Sequence, residues 1–329
     1  MGSNPTPRTK EGRYTSYRLI YFGVSVTITV VFLEHRIEYL KDFYDLAERG
    51  DVIVLEEPDF GILELLCRGV LDIDFYIDFL YSEFSEYLRE QYTYVKNLLE
   101  SGKLVFQVEP YLTKLVELYH FIELKLFDKV LQFDDILKFV HSVENYVSKA
   151  LVEYYDTILT GSFEDAVNSV IKFAKADAFR LYIRDLLRAF KICEIHSKYG
   201  KNLNYIVEAG LIHKTISTIL EKFCKDFVYS VDVKDIRARK LGIILPSHPG
   251  YELTYIFLEG QPYSEERCRQ LAARCIVYTL MIKKQELRPG ILQYPHLFDE
   301  YRVLDFVNRL SYDSCRRIFE KYRKNILNL

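Results

Sequence analysis

The chain's apolar and polar positions fall into two alternating rhythms. Val24 to Phe32 is apolar and dense in β-branched residues, which suits a strand. From Glu34 the period changes to about 3.6, with Ile37, Leu40, Phe43, Tyr44 and Leu46-Ala47 on one helical stripe that stops at Gly50. Val52 to Leu55 is a short apolar run closed by Glu56-Glu57-Pro58, and Leu104 to Val108 is another closed by Glu109-Pro110. Runs of this kind read as buried parallel strands whose carboxyl ends carry acids. Asn204 to Val207 is a further strand, ending in Glu208-Ala209-Gly210, and a helix runs from Lys214 to Phe227.

Between these strands, residues 112 to 198 carry only helical patterns, with breaks at Phe133-Asp134-Asp135 and at Gly161-Ser162, where Ser162 and Asp165 have capping-box spacing. The expected fold is therefore α/β: a mostly parallel central sheet flanked by helices, with a large helical insertion in the middle of the chain. The expected organisation is a tail (1–16), a first β-α-β half (17–111), a helical cap (112–200) and a second α/β half (201–329). In that last part, Leu241 to Leu245 and Leu253 to Leu258 read as further strands, Ser264 to Glu286 as a helix, and Arg302 onward as closing helices.

Composition narrows the function classes. With 44 basic against 47 acidic residues and a net charge of -3, nothing recruits nucleic acid or an anionic membrane. The apolar run Leu19 to Leu33 is short of a spanning helix and lacks a cleavage site, so a cytoplasmic protein is expected. The six cysteines include no C-x-x-C pair and read as small buried hydrophobes in a reducing compartment. The 27 Tyr, two Met and no Trp point to a thermophilic source, where an intracellular disulfide is the known exception. P-loop, dinucleotide-fingerprint, zincin and nucleophile-elbow motifs are all missing from the sequence.

The carboxyl ends of parallel strands are where α/β sheets place ligands. Glu56, Glu109 and Glu208 would gather there with His213, three residues past Gly210. Carboxylates beside an imidazole suit a divalent metal or an acid/base pair. Arg180, Arg184 and Arg188 share one helix face, able to bind an anionic substrate or to pair with those acids. The run Lys234, Arg237, Arg239, Lys240 reads as a solvated face, His248 and His296 as exposed loop residues, and His196 as an imidazolium near a helix end.

The segment Tyr205 to His213 resembles the second Gly-x-x-His motif of the superfamily joining TraB pheromone-shutdown proteins, Tiki proteases, erythromycin esterases and haem-binding ChaN. The Arg-bearing stretch Ala178 to Asp185 and the helix and strand from Glu34 to Glu56 are similar to that superfamily as well. The resemblance implies a hydrolase acting on a small-molecule or peptide substrate, either with one divalent metal ion or through carboxylate/His acid-base chemistry. Glu56, Glu109, Glu208, His213 and Arg184 would be its catalytic residues, and Glu56, His213 and His35 its metal ligands. The first Gly-x-x-His is incomplete. One register keeps Gly23 and puts Val26 at the His position; the other keeps His35 and loses the glycine, and the strand-like Leu19 to Phe22 favours the first. A non-catalytic binding protein on the same scaffold is the alternative, with Phe75, Tyr76, Phe79, Tyr81, Phe84 and Tyr87 lining its pocket.

Overall fold

The computed structural model describes residues 28–82, 84–260 and 262–327, with the side chains of 325–327 excluded. The expected tail, the strand at Leu19 to Phe22 and the Gly23 to Val26 motif lie outside the described residues. The first described strand, β1 (Ile28–Leu33), leads into α1 (Ile37–Ala47) and β2 (Val52–Leu55). Then come α2 (Leu63–Cys67), α3 (Ile73–Phe79), α4 (Ser85–Glu100) and β3 (Leu104–Gln107). A helical stretch follows: α5 (Pro110–Glu123), α6 (Phe127–Val130), α7 (Asp135–Leu159) and the 37-residue α8 (Phe163–Tyr199). β4 (Tyr205–Gly210), α9 (Thr215–Cys224) and β5 (Val228–Asp232) complete the sheet. The chain ends in helices α10 (Val233–Lys240), α11 (Pro249–Leu258), α12 (Glu265–Met281), α13 (Pro295–Asn308) and α14 (Tyr312–Leu327).

All five strands are parallel, in the order β3-β2-β4-β1-β5. The α/β class, the parallel sheet and the long central helical stretch agree with the sequence pattern. Strand alternation sorts the side chains onto two faces. Val31, Leu33, Ile53, Leu55 and Ile206 pack under α1 and α4, whereas Val30, Phe32, Val54, Val207 and Ala209 pack against α8 and α9. A third core joins α8 to α11, α12 and α14. Ser162 caps α8 through the capping box foreseen with Asp165. Gly50, just past the end of α1, runs close under β4, where a Cβ would lie 2.5 Å from Ile206 Cγ1.

Three expectations are corrected. Leu241 to Leu245 forms no strand, and Leu253 to Leu258 belongs to α11, which starts at the His248 cap and Pro249. A continuous apolar run does not separate a buried strand from a buried helix. The fifth strand is instead Val228–Asp232, a short edge strand that the sequence reading passed over. Lastly, Cys193 and Cys224 form a disulfide between α8 and α9, where reduced thiols were expected. Among the described residues, no helix is long and apolar enough to cross a membrane.

The disulfide closes a loop across 31 positions, worth about 3–4 kcal/mol by chain entropy. Cys193→Ser should lower the unfolding free energy by that order in urea titrations under non-reducing conditions. The difference should vanish when both proteins are reduced.

Candidate functional site

Side chains converge at the carboxyl ends of β2, β4 and β1, where a cavity of about 720 Å³ opens. β4 lies between β1 and β2, with Leu33 level with Gly210, so the residues leaving each strand meet over one spot. A Cβ built on Gly210 would stand 3.5 Å from His213 Cδ2, 3.6 Å from Glu56 Oε2 and 3.7 Å from His35 Cε1. Glu34-His35-Arg36 enters the crevice just past the end of β1 at Leu33, whereas Val26 lies outside the described residues.

Helix α8 supplies the other wall. Arg184 Nη2 lies 3.2 Å from Glu56 Oε1 and 3.3 Å from Glu109 Oε2. Arg188, fully buried, places Nη1 3.1 Å from Glu56 Oε2 and Nε 3.3 Å from Glu109 Oε2, and donates to the carbonyls of Val108 and Glu208 at 3.0 and 2.7 Å. The Gly210 N–H donates to Glu56 Oε2 at 2.6 Å. Two members of the arginine stripe, Arg184 and Arg188, thus pair with the strand-end acids, while Arg180 pairs with Glu144 and Asp177.

His213 sits between two carboxylates, with Nε2 3.1 Å from Glu56 Oε1 and Nδ1 2.5 Å from Asp185 Oδ1. Thr215 Oγ1 donates to the other Asp185 oxygen. Burial disfavours a charged ring, but Glu56 and Asp185 outweigh it and hold His213 up at about 9. Glu56 is driven well below the usual carboxylate range, because His213 and Arg188 together overcome the effect of its burial. At neutral pH the pair is carboxylate and imidazolium, both ring nitrogens donating.

Glu208, on the opposite face of the sheet, is held by three donors: Tyr87 Oη at 2.5 Å, Gln91 Nε2 at 3.2 Å and the Glu56 N–H at 3.1 Å. His35 Nε2 lies 3.6 Å from Glu208 Oε1, its ring edge against Phe84 and tilted on Tyr87. The His35 side chain keeps 22% of its surface exposed, against 3% for His213.

A second polar group borders the same cavity. Lys234 is buried between Glu34 and Glu300, so the solvated-face reading fails for it, although Arg239 and Lys240 are exposed. His248 and His296 are corrected as well. His248 Nδ1 caps α11 by accepting from Gly250 and Tyr251, and burial and Lys234 hold its pKa down at about 3. His296 Nε2 accepts from the Leu287 N–H at 2.8 Å, and burial holds it at about 4. His196 is buried too, and its pKa falls rather than rises, so it is no helix-end imidazolium. Of the aromatic set, Tyr81, Phe84 and Tyr87 line the cavity, Tyr76 is core, and Phe75 points to solvent.

The structure brings Glu56, Glu109, Glu208, His213, Arg184 and His35 to one place. It adds Asp185 and Arg188, Asp185 being the residue that sequence reasoning missed. Its one signal was adjacency to Arg184 on the face that meets the strand ends. A divalent ion on Glu56, His213 and His35 does not fit these donors. Both Glu56 oxygens are taken by Arg184, Arg188, Gly210 and His213, and each His213 ring nitrogen already faces a carboxylate, Glu56 on one side and Asp185 on the other. Among the described residues, no group of three or more His, Cys, Asp or Glu is arranged to hold a metal.

The chain is 28% identical over 294 residues to an uncharacterized protein of Archaeoglobus fulgidus, an alignment covering 89% of this chain and 98% of that one. No family model matches the chain. No solved structure matches it significantly.

The state of His213 gives a signed pH prediction. Its folded pKa of about 9 exceeds its ordinary 6.5, so its stabilising contribution is complete below pH 6.5 and is lost as pH rises through 9. Wild type should lose on the order of 3 kcal/mol across that window relative to His213→Gln, by urea unfolding. Parallel pH profiles for the two proteins would show that the ring is not charged.

Proposed function

We propose that the protein is a hydrolase of the acid/base type, with His35 and Glu208 as the working dyad. The observation behind this reading is the contrast between the two histidines. His213 is sealed between carboxylates with both nitrogens donating, whereas His35 keeps its ring on the cavity wall beside a buried, firmly held carboxylate. Glu208 would fix the proton on His35 Nε2, leaving Nδ1 to accept one from water. The hydroxide equivalent adds to an ester or amide carbonyl of a small molecule or peptide, and His35 returns the proton to the leaving group. Arg184 and His213 also border the cavity, with their charges matched by Glu56, Glu109 and Asp185. Glu56, Glu109 and Asp185 position those two groups. No step is assigned to a metal.

A binding protein without turnover is the second reading. It is favoured by the mutual pairing of Glu56, Glu109, Arg184 and Arg188, and by the apolar wall of Leu115, Val116, Tyr119 and Phe84.

Purified protein assayed against a panel of activated esters and anilides distinguishes the two. Turnover by wild type should drop about 10²- to 10⁴-fold in kcat for His35→Gln. Glu208→Gln should lose a comparable factor. The melting temperature of His35→Gln should stay within a few degrees of wild type, since its side chain is partly exposed. Undiminished turnover in His35→Gln sinks the dyad; ligand binding without any turnover by wild type favours the second reading.

A further inference from the structure

Helix α5 starts at the site and leads away from it. Its N-cap is Glu109, the acid paired with Arg184, and Pro110 opens its first turn. Leu112, Leu115, Val116 and Tyr119 follow at i, i+3, i+4 and i+7, so they share one helix face, and all four line the cavity. Exposure climbs along that face, from 5% at Val116 to 39% at Tyr119 and 49% at Ile122, one turn further on. The face is an apolar track that begins inside the cavity and runs out over the surface. Apolar residues scattered singly on a surface need no explanation, but a continuous line joined to a cavity does.

Residues between α3 and α4 build the adjoining wall. Phe84 sets its ring 5.7 Å from that of His35, and Tyr81 meets Tyr119 edge-on at 5.5 Å. Tyr81 holds a left-handed φ of 53°, which is costly for a bulky side chain. Its hydroxyl donates to His120 Nδ1 at 3.1 Å while His120 Nε2 donates to the Phe79 carbonyl, so the Tyr81 ring is fixed beside the track. The lining that comes from α11 and α13 is polar instead, with Tyr251, His296 and Glu300. An apolar track on one side and polar groups on the other suit an amphipathic ligand.

We propose that the substrate is a fatty-acyl ester or amide whose chain lies along α5, with its carbonyl at His35 and its alcohol or amine half among the polar groups. The chemistry rests on the hydrolase reading, and the chain on the track. From Leu112 to Ile122 the helix rises about 15 Å, which matches an extended chain of about twelve carbons. A helix face offers a peptide backbone no partners, because its own amides are bonded within the helix, whereas an aliphatic chain needs none. Each methylene laid on the track leaves water, so the gain grows with chain length. Hydrolysis adds water across the acyl bond and releases the fatty acid and the alcohol or amine.

Hydrolysis of p-nitrophenyl esters from acetate to dodecanoate, each below its aggregation threshold, tests this on the full chain. kcat/KM should rise about threefold per added methylene until the track is filled. In Tyr119→Asp the ratio of dodecanoate to acetate turnover should fall about tenfold or more. Ile122→Asp, at a more exposed position, should lower the same ratio should the first variant fail to fold. Calorimetry with sodium dodecanoate, which needs no turnover, should show saturable binding by wild type and His35→Gln and weaker binding by both track variants. Esters cleaved without regard to chain length, with no dodecanoate bound, overturn the track and leave the hydrolase reading standing. Dodecanoate binding that both track variants leave intact places the chain elsewhere and overturns the proposal too. Binding on the track without cleavage of any ester upholds the acyl ligand and removes the hydrolase.

Discussion

Arg188 is the group on which the arrangement depends. A fully buried guanidinium survives only if its donors are met and its charge is balanced. Here both conditions are supplied by the ends of three neighbouring strands: the Val108 carbonyl and Glu109 after β3, Glu56 after β2, and the Glu208 carbonyl in β4. Removing it would leave Glu56 and Glu109 buried with only Arg184 and His213 as counter-charges. The same bonds fix how α8 lies across the sheet, and with it where Arg184 and Asp185 stand.

The sheet also separates two electrostatic regimes. On the α8 side, carboxylates are matched by two arginines and an imidazolium, so they stay ionised deep in the protein. On the α4 side, Glu57 and Glu208 meet phenols and amides instead, and burial pushes Glu57 toward its neutral form. Two consecutive residues, Glu56 and Glu57, thus belong to different chemical environments for no reason other than the period of two along an extended chain.

Much of the fold was legible in the sequence because its signals were periodic. The α1 stripe, the runs before Glu56 and Glu109, and the Ser162 cap each carry a pattern that local physics enforces. The site was legible where acids closed strands and where arginines repeated every four residues. Asp185 was not, since a single aspartate on a helix face gives no pattern, and its partner His213 is 28 residues away. His35 was named, but two registers stayed open for it because apolar β-branched residues precede it without a break, which leaves the end of β1 undefined until β4 is set beside it. Lys234 looked like surface because its counter-charges, Glu34 and Glu300, come from distant parts of the chain.

The strand order has a consequence for how this chain is made. Among the described residues, β1 hydrogen-bonds only to β4 and β5, Ile28 pairing with Tyr205 and Val228. A ribosome must therefore make the chain through Tyr205 before β1 has either of these strand partners, and through Glu208 before His35 has that carboxylate beside it. The opening β-α-β segment, which looks like a self-sufficient unit in sequence, is an open slot awaiting its central strand. Until β4 arrives, the apolar edges of β1 and β2 that it will cover are open to other chains.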